Sequence, residues 1–488
     1  MSQRASIISR ESSVDRSGLL RGLGLWSSTA VVLGAIIGTG IYLKPAEMAR
    51  EAGSPTLVMA AWVVAGCFSL LGALSLAELG AALPEAGGQY AFLRRSFGPL
   101  WGFLYGWKTV LLGNPTSQAS LASGLLLFVS YFVPGVTRTI LTFETQLPLF
   151  GATSFEMTLA QPLAAAAIWC VALVNLFPVK RVGGLQVLLS GFKVLSLLVI
   201  IGLGFTLVGH EVGAAVVTPA PVAPTTRGFI VAVAAGLWAF SGWHTLTSLG
   251  GEVARPGKTL PRAIMTGFLI TVGLFLAFNL ITLLALPFDA IAASNHVASD
   301  MLERVAGSNA STWLTVAMIV SVVGTLNSTT LASSRIPFAM ASDGLLPKTL
   351  ARLAPGARVP RGAVVFHAAL ASVLALTGTF EELTSLFVFA NWLFFALVVT
   401  GLIRLRAREP DLHRPFRVRP YPLVPVLFIL LSIVLTGSIL LERPVRSGIG
   451  LLVLLLGLPV YWAFTKGGRF DFVGTGDPVG EHERSVDE

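Results

Sequence analysis

Apolar runs of about 20 residues recur along the chain, separated by short segments that hold nearly all of its charge. Wound as helices rising about 1.5 Å per residue, such runs match the roughly 30 Å hydrocarbon thickness of a bilayer. The pattern predicts twelve spans, at approximately residues 24–43, 56–83, 99–132, 161–178, 184–207, 228–250, 263–286, 312–340, 362–378, 383–403, 422–441 and 447–465. Two of the twelve are poor helices. Span 1 carries Gly34, Gly38, Thr39 and Gly40 where a regular helix wants bulk, and span 6 is interrupted at Ser241, Gly242 and His244 some 200 residues later.

A broken helix leaves backbone N–H and C=O groups unpaired at membrane depth, and hydrocarbon tolerates this only where the gap lines a cavity. The turn at Gly38, Thr39 and Gly40 would expose N–H donors at a positive half-helix end, suited to a carboxylate. Gly34 and Gly38 also form a small-xxx-small pair that packs helices closely, so span 1 alone fits either reading. Packing glycines do not explain a matched interruption five spans later. Because five is odd, spans 1–5 and 6–10 enter the membrane from opposite sides, which predicts an inverted repeat. The expected organisation is an all-α integral membrane protein: a tail at 1–22, a first five-helix repeat at 23–207, a second at 228–405, two peripheral helices at 420–466 and a tail at 467–488.

Composition agrees: 54% of the 488 residues are hydrophobic and 12% charged, too apolar and charge-poor for a soluble globule. The net charge of +9 is an orientation signal rather than a nucleic-acid footprint. Twenty-four of the 34 Lys and Arg fall in the tails and alternate loops on one side, from Arg4 to Arg484, and seven on the other. The positive-inside rule then places both termini in the cytoplasm. The N-terminal tail has no apolar h-region with a small-residue cleavage site, so no signal peptide is expected. Cys67 and Cys170 both fall inside spans, where a thiol is expected as a small buried hydrophobe.

The chain contains no GxxxxGK[ST], HExxH or GxSxG motif, and its six histidines lack metal-ligand spacing. An ATPase, protease or metalloenzyme is not indicated, and no cofactor is expected. Span 3 is long enough to require a tilt or a kink near Pro115. Lys193 lies nine residues into span 5, roughly 14 Å deep and near the bilayer centre. A charge there demands pairing or solvation and marks a functional residue by default. Lys108 is as deep in span 3; it either faces a cavity and favours a carboxylate-rich substrate or reaches a carbonyl at the kink. Glu78 and Glu85 are expected to order a loop, and Arg335 to snorkel from the end of span 8.

The blocks GAIIGTGI (34–41), ELGAALPEAGGQYAFL (78–93), PTSQA (115–119), GFKVLSL (191–197), FSGWH (240–244), RPGKTLPRAI (255–264), NSTTLASSR (327–335), ASDGLLP (341–347) and NWLFFALVVTGLIRLRAREPDLHRPFRV (391–418) resemble the amino acid, polyamine and organocation transporter superfamily, specifically its L-type amino acid transporter branch. The resemblance covers most of the chain. It implies a substrate site between spans 1, 3, 6, 8 and 10, with the amino acid carboxylate on Gly38, Thr39 and Gly40. The carbonyls of Ile36, Trp238 and Ser241, beside Gly242, would accept from the ammonium, with Trp238 at the aromatic gate position. Lys193 stands where sodium-coupled relatives of this fold hold a cation, which implies sodium-independent transport with the lysine as fixed cation or proton carrier.

His244 replaces the asparagine frequent at that place, and Lys108 has no counterpart role in the family. Asn327 and Asn391 are candidates for lining the side-chain pocket. Eukaryotic members join a glycoprotein subunit through a cysteine in the loop after span 3; residues 133–160 have none, so no disulfide-linked heavy-chain subunit is expected. The sequence reading is an antiporter of neutral L-amino acids, with a proton-coupled symporter or a cationic amino acid and polyamine exchanger as alternatives. An amino acid sensor without flux is a third.

Overall fold

The computed structural model describes residues 15, 17–147, 151–208, 224–294, 296–377, 380–442 and 444–466. Residues 467–488 and most of the N-terminal tail, including Arg4, Arg10 and Arg16, lie outside them. Among the described residues, five helices are long and apolar enough to cross a membrane by length and composition: Leu25–Ala52 counted through its break, Pro55–Ala82, Val179–Thr206, Pro256–Ala285 and Asn309–Ser342. Shorter apolar helices, such as Ala160–Val174 and Arg361–Thr377, accompany them.

Several expected spans differ from the apolar runs that predicted them, because hydropathy also counts residues that have left the helix for a turn. Span 1 is two helices, α1 (Leu25–Ile36) and α2 (Gly40–Ala52), beside α3 (Pro55–Ala82). A short helix α4 (Gln89–Phe97) follows. Span 3 divides into α5 (Pro99–Lys108) and α6 (Asn114–Val129) around a π-helical turn at Thr109–Gly113. The irregularity therefore falls just before Pro115, which sits harmlessly in the first turn of α6. An extra residue in a helical turn is the usual form of a π-bulge, and such bulges re-aim the side chains beside them.

The connection after α6 departs from the all-α expectation. Strands β1 (Thr139–Leu147) and β2 (Gly151–Thr158) pair antiparallel, with Leu141 opposite Met157 and Phe143 opposite Phe155. The segment is rich in Thr and Phe and too polar to span, which suits a strand better than a helix. The chain continues through α7 (Ala160–Val174), α8 (Val179–Val208) and α9 (Thr226–Ala239), then α10 (Pro256–Ala285), α11 (Phe288–Ala293) and α12 (Val297–Ala306). Next come α13 (Ser308–Ser333), α14 (Arg335–Ser342), α15 (Arg361–Thr377), α16 (Phe380–Arg408), α17 (Leu423–Glu442) and α18 (Pro444–Lys466).

Ion pairs join one end of the bundle. Glu78, at the foot of α3 and fully buried, accepts two bonds from Arg406 at 2.8 and 2.5 Å and one from the Val418 N–H at 2.7 Å. It thereby orders the segment after α16. Arg335 does not snorkel: it is wholly buried and makes a two-pronged pair with Glu252 at 2.7 and 2.8 Å. A buried guanidinium without a carboxylate would carry an uncompensated charge, so the nearest buried acid overrides the route to water. The Glu252 carbonyl accepts from the Leu23 N–H, and the Leu23 carbonyl from the Ala254 N–H. The approach to α1 is thus tied to the segment that follows α9. The two cysteines also differ from expectation. Both are unpaired and exposed on the outer faces of α3 and α7.

Candidate functional site

The break in span 1 is held open by its neighbours. α1 ends at Ile36, Ile37 turns to an extended conformation with ψ of 93°, and α2 starts at Gly40. Carbonyls in the last turns of α1 and at the break take side-chain donors. Ser190 donates to the Ala30 carbonyl at 2.7 Å, Ser328 to that of Val31 at 2.7 Å, and Thr325 to that of Ile37 at 2.7 Å. Lys193, wholly buried on α8, donates to the carbonyls of Gly34 at 2.9 Å and Ile37 at 2.7 Å and to the Thr325 hydroxyl at 2.7 Å. Three acceptors around one nitrogen use all three protons of an ammonium, so the geometry is that of the charged form. The lysine pins the end of α1 between α8 and α13.

On the other side of the break the donors stay open. The N–H groups of Gly38, Thr39 and Gly40 donate to no acceptor among the described residues. The Thr39 hydroxyl is buried without a partner there. These groups crown the N-terminus of α2, where the helix dipole favours negative charge.

Span 6 stops being helical earlier than expected, at Ala239. Phe240 is wedged between Trp62 and Phe275, with ring centroids at 5.6 and 5.1 Å. Gly242 follows with φ of +125°, and a Cβ there would lie 2.6 Å from the Ala35 carbonyl oxygen. Both the backbone angle and the space demand glycine. From Thr245 the chain continues in short 3₁₀ turns instead of a second α-helix. The carbonyls of Ile36 and Ser241 accept no hydrogen bond among the described residues, whereas that of Trp238 accepts from the Ser241 N–H at 3.0 Å and is also approached by the Phe240 N–H.

These open groups border one cavity. Ile36, Gly38, Thr39, Gly40, Trp238, Ser241, Gly242 and Asn391 all line it, with His244 and, from α13, Thr325, Thr329 and Ser333. Among the described residues, its lining holds no Asp, Glu, Lys or Arg. Trp238 faces the cavity and also carries the Lys44 ammonium 5.0 Å from its ring centroid; Lys44 in turn pairs with Glu47 at 2.5 Å. His244 keeps its ring 4.9 Å from that of Phe395, and its Nδ1 has no partner among the described residues.

Asn327 is not part of this site. Its amide donates to Gln186 at 2.8 Å and its carbonyl accepts from Asn175 at 2.9 Å, forming a buried bridge between α13, α8 and α7. The cavity stripe on α13 runs through Thr325, Thr329, Ala332, Ser333 and Ile336. Two residues from Thr325 is about 200° around a helix, which turns Asn327 away from that stripe. Thr325, Gln89 and Tyr105 were missed by the sequence reading. A threonine in an apolar helix carries no sign of its role until its facing carbonyl is known, and Gln89 accepts from the Tyr105 hydroxyl at 2.7 Å across sixteen residues.

Two interrupted apolar helices whose open ends meet at a cavity inside a helical bundle are the architecture of a membrane transporter. Residues 23–458 match the family model of amino acid permeases. The chain belongs to the amino acid permease family, within the amino acid, polyamine and organocation superfamily. It is 30% identical over 461 residues to the serine/threonine exchanger SteT of Bacillus subtilis (strain 168), an alignment covering 92% of this chain and 98% of that one. It is also 30% identical over 453 residues to the Asc-type amino acid transporter 1 of Mus musculus, with 92% and 82% covered. Against the cystine/glutamate transporter of Homo sapiens the identity is 30% over 451 residues, with 91% and 85% covered.

Proposed function

We propose that the protein is a sodium-independent amino acid antiporter working by alternating access across twelve spans, ten of them in an inverted repeat and both termini cytoplasmic. The α-carboxylate binds the N–H groups of Gly38, Thr39 and Gly40 with the Thr39 hydroxyl. The α-ammonium binds the carbonyls of Ile36, Trp238 and Ser241, and Trp238 closes over the substrate. A zwitterion so held suits the neutral amino acids expected from the sequence. That no Asp or Glu lines the cavity among the described residues disfavours polyamines and cationic amino acids, whose extra ammonium would find no carboxylate there. Exchange by SteT and amino acid transport by the other relatives support the antiport reading. Residues 133–160 hold no cysteine for a covalent partner, which supports a carrier without a disulfide-linked heavy chain.

The single observation that carries sodium independence is the Lys193 ammonium, saturated by Gly34, Ile37 and Thr325. A resident cation already ties α1 to α13, leaving no need for a second. Purified protein in liposomes loaded with unlabelled serine is expected to take up labelled serine at the same initial rate in sodium and in choline buffers. A tenfold loss in choline would overturn the role given to Lys193.

A further inference from the structure

Lys108 stands at the junction of α5 with the π-helical turn, only 2% exposed. Its ammonium donates to the Asn391 side-chain oxygen at 2.8 Å and lies 4.9 Å from the Tyr105 ring centroid and 5.3 Å from that of Phe394. It reaches no carbonyl at the kink, and no carboxylate lies within ion-pair distance among the described residues. The contrast with Lys193 is instructive. Lys193 spends its three protons on three oxygens, whereas Lys108 has one oxygen and two ring faces. Aromatic faces stabilise a cation without consuming a hydrogen bond, so donor capacity is left over. A buried charge is tolerated when it is paired and hydrogen-bonded, and Lys108 lacks the anion.

Lys108 itself stands behind the cavity wall, and two of its neighbours, Asn391 and Tyr105, form that wall. The missing anion is therefore able to arrive from the cavity, where the carboxylate turn and the ammonium-accepting carbonyls lie on the same continuous surface. We propose that Lys108, with Asn391, forms a cationic side-chain subsite that selects amino acids bearing a side-chain carboxylate over their uncharged isosteres. The proposal rests on the transporter reading of the cavity and adds the substrate class to it. Neutral amino acids still bind through their α-groups, and a side-chain carboxylate completes the ion pair that the fold leaves half made. The π turn contributes by re-aiming Lys108 and Gly113, whose would-be Cβ is 3.8 Å from both the Lys108 ammonium and the Asn391 oxygen.

The test is competition against labelled serine exchange in serine-loaded proteoliposomes, comparing unlabelled aspartate with asparagine, which differ by charge and hardly by shape. Aspartate is expected to compete at a concentration at least tenfold lower. In Lys108→Met the aspartate-to-asparagine ratio is expected to move by roughly 30-fold or more towards asparagine, the lower end for truncating one partner of a buried charge pair. Asn391→Asp, which puts a carboxylate beside Lys108 inside the protein, is expected to erase the same preference. Asparagine competing as well as aspartate in the native protein, with serine exchange intact, would overturn the subsite and leave the exchanger standing. An unmoved ratio in either variant would do the same. If Lys108→Met does not insert, the native ratio and Asn391→Asp decide. Absence of all serine exchange in the native protein would bring down the exchanger reading and this subsite with it.

Discussion

Replacing Lys193 by methionine is expected to lower exchange at least 100-fold while the protein still inserts. Methionine fills much of the same channel with an apolar chain, so the change removes the donor and charge rather than the bulk. The Gly34 carbonyl then loses its donor altogether, and the Ile37 carbonyl keeps Thr325, with Ser321 at 3.4 Å. Hydrogen bonds to a charged group contribute about 1.5–3 kcal/mol each, so losing three is enough to release α1 from α13. The break is expected to relax towards continuous helix, which satisfies the orphaned carbonyls internally and removes the open N–H groups of Gly38, Thr39 and Gly40. The check is serine exchange together with thermal unfolding of the purified variant. Near-native exchange would show that the ammonium is a packing element with no part in the site.

Gly40→Val is expected to abolish exchange as well, for a reason that only the packing supplies. A Cβ on Gly40 would lie 2.7 Å from the Ala239 Cα, 2.9 Å from the Ala239 Cβ and 3.2 Å from the Trp238 ring. The start of α2 and the end of α9 are in backbone contact here, and a close-packed interior responds to an added group by shifting backbone. The branched side chain would part the two broken helices at the place where one carries the proposed anion donors and the other Trp238. Uptake at the native rate would refute the carboxylate turn.

Much of this site was legible because unusual chemistry in an apolar run is hard to miss. Three glycines within seven residues marked the break at Ile37–Thr39, and a lysine at mid-membrane depth forced the question answered by Gly34, Ile37 and Thr325. What the sequence could not supply was rotation about each helix axis. Asn327 and Thr325 are equally polar neighbours on α13, yet only Thr325 faces the cavity. For Lys108 the sequence admits a cavity or a carbonyl, and the π turn that aims it at Asn391 has no reliable sequence sign. Arg335 found Glu252 because the chain after α9 abandons the helix and folds back, a path no periodicity encodes. The β1–β2 hairpin leaves no mark in the apolar pattern, because short polar strands contribute no apolar run.

The most direct measurement is labelled serine uptake by the reconstituted protein in empty and serine-loaded liposomes, with and without an imposed pH gradient. With Lys193 as a fixed cation, uptake is expected only into loaded vesicles, matched mole for mole by serine release and indifferent to the gradient. Accumulation in empty vesicles driven by the pH gradient would contradict obligatory exchange and make Lys193 the leading proton carrier.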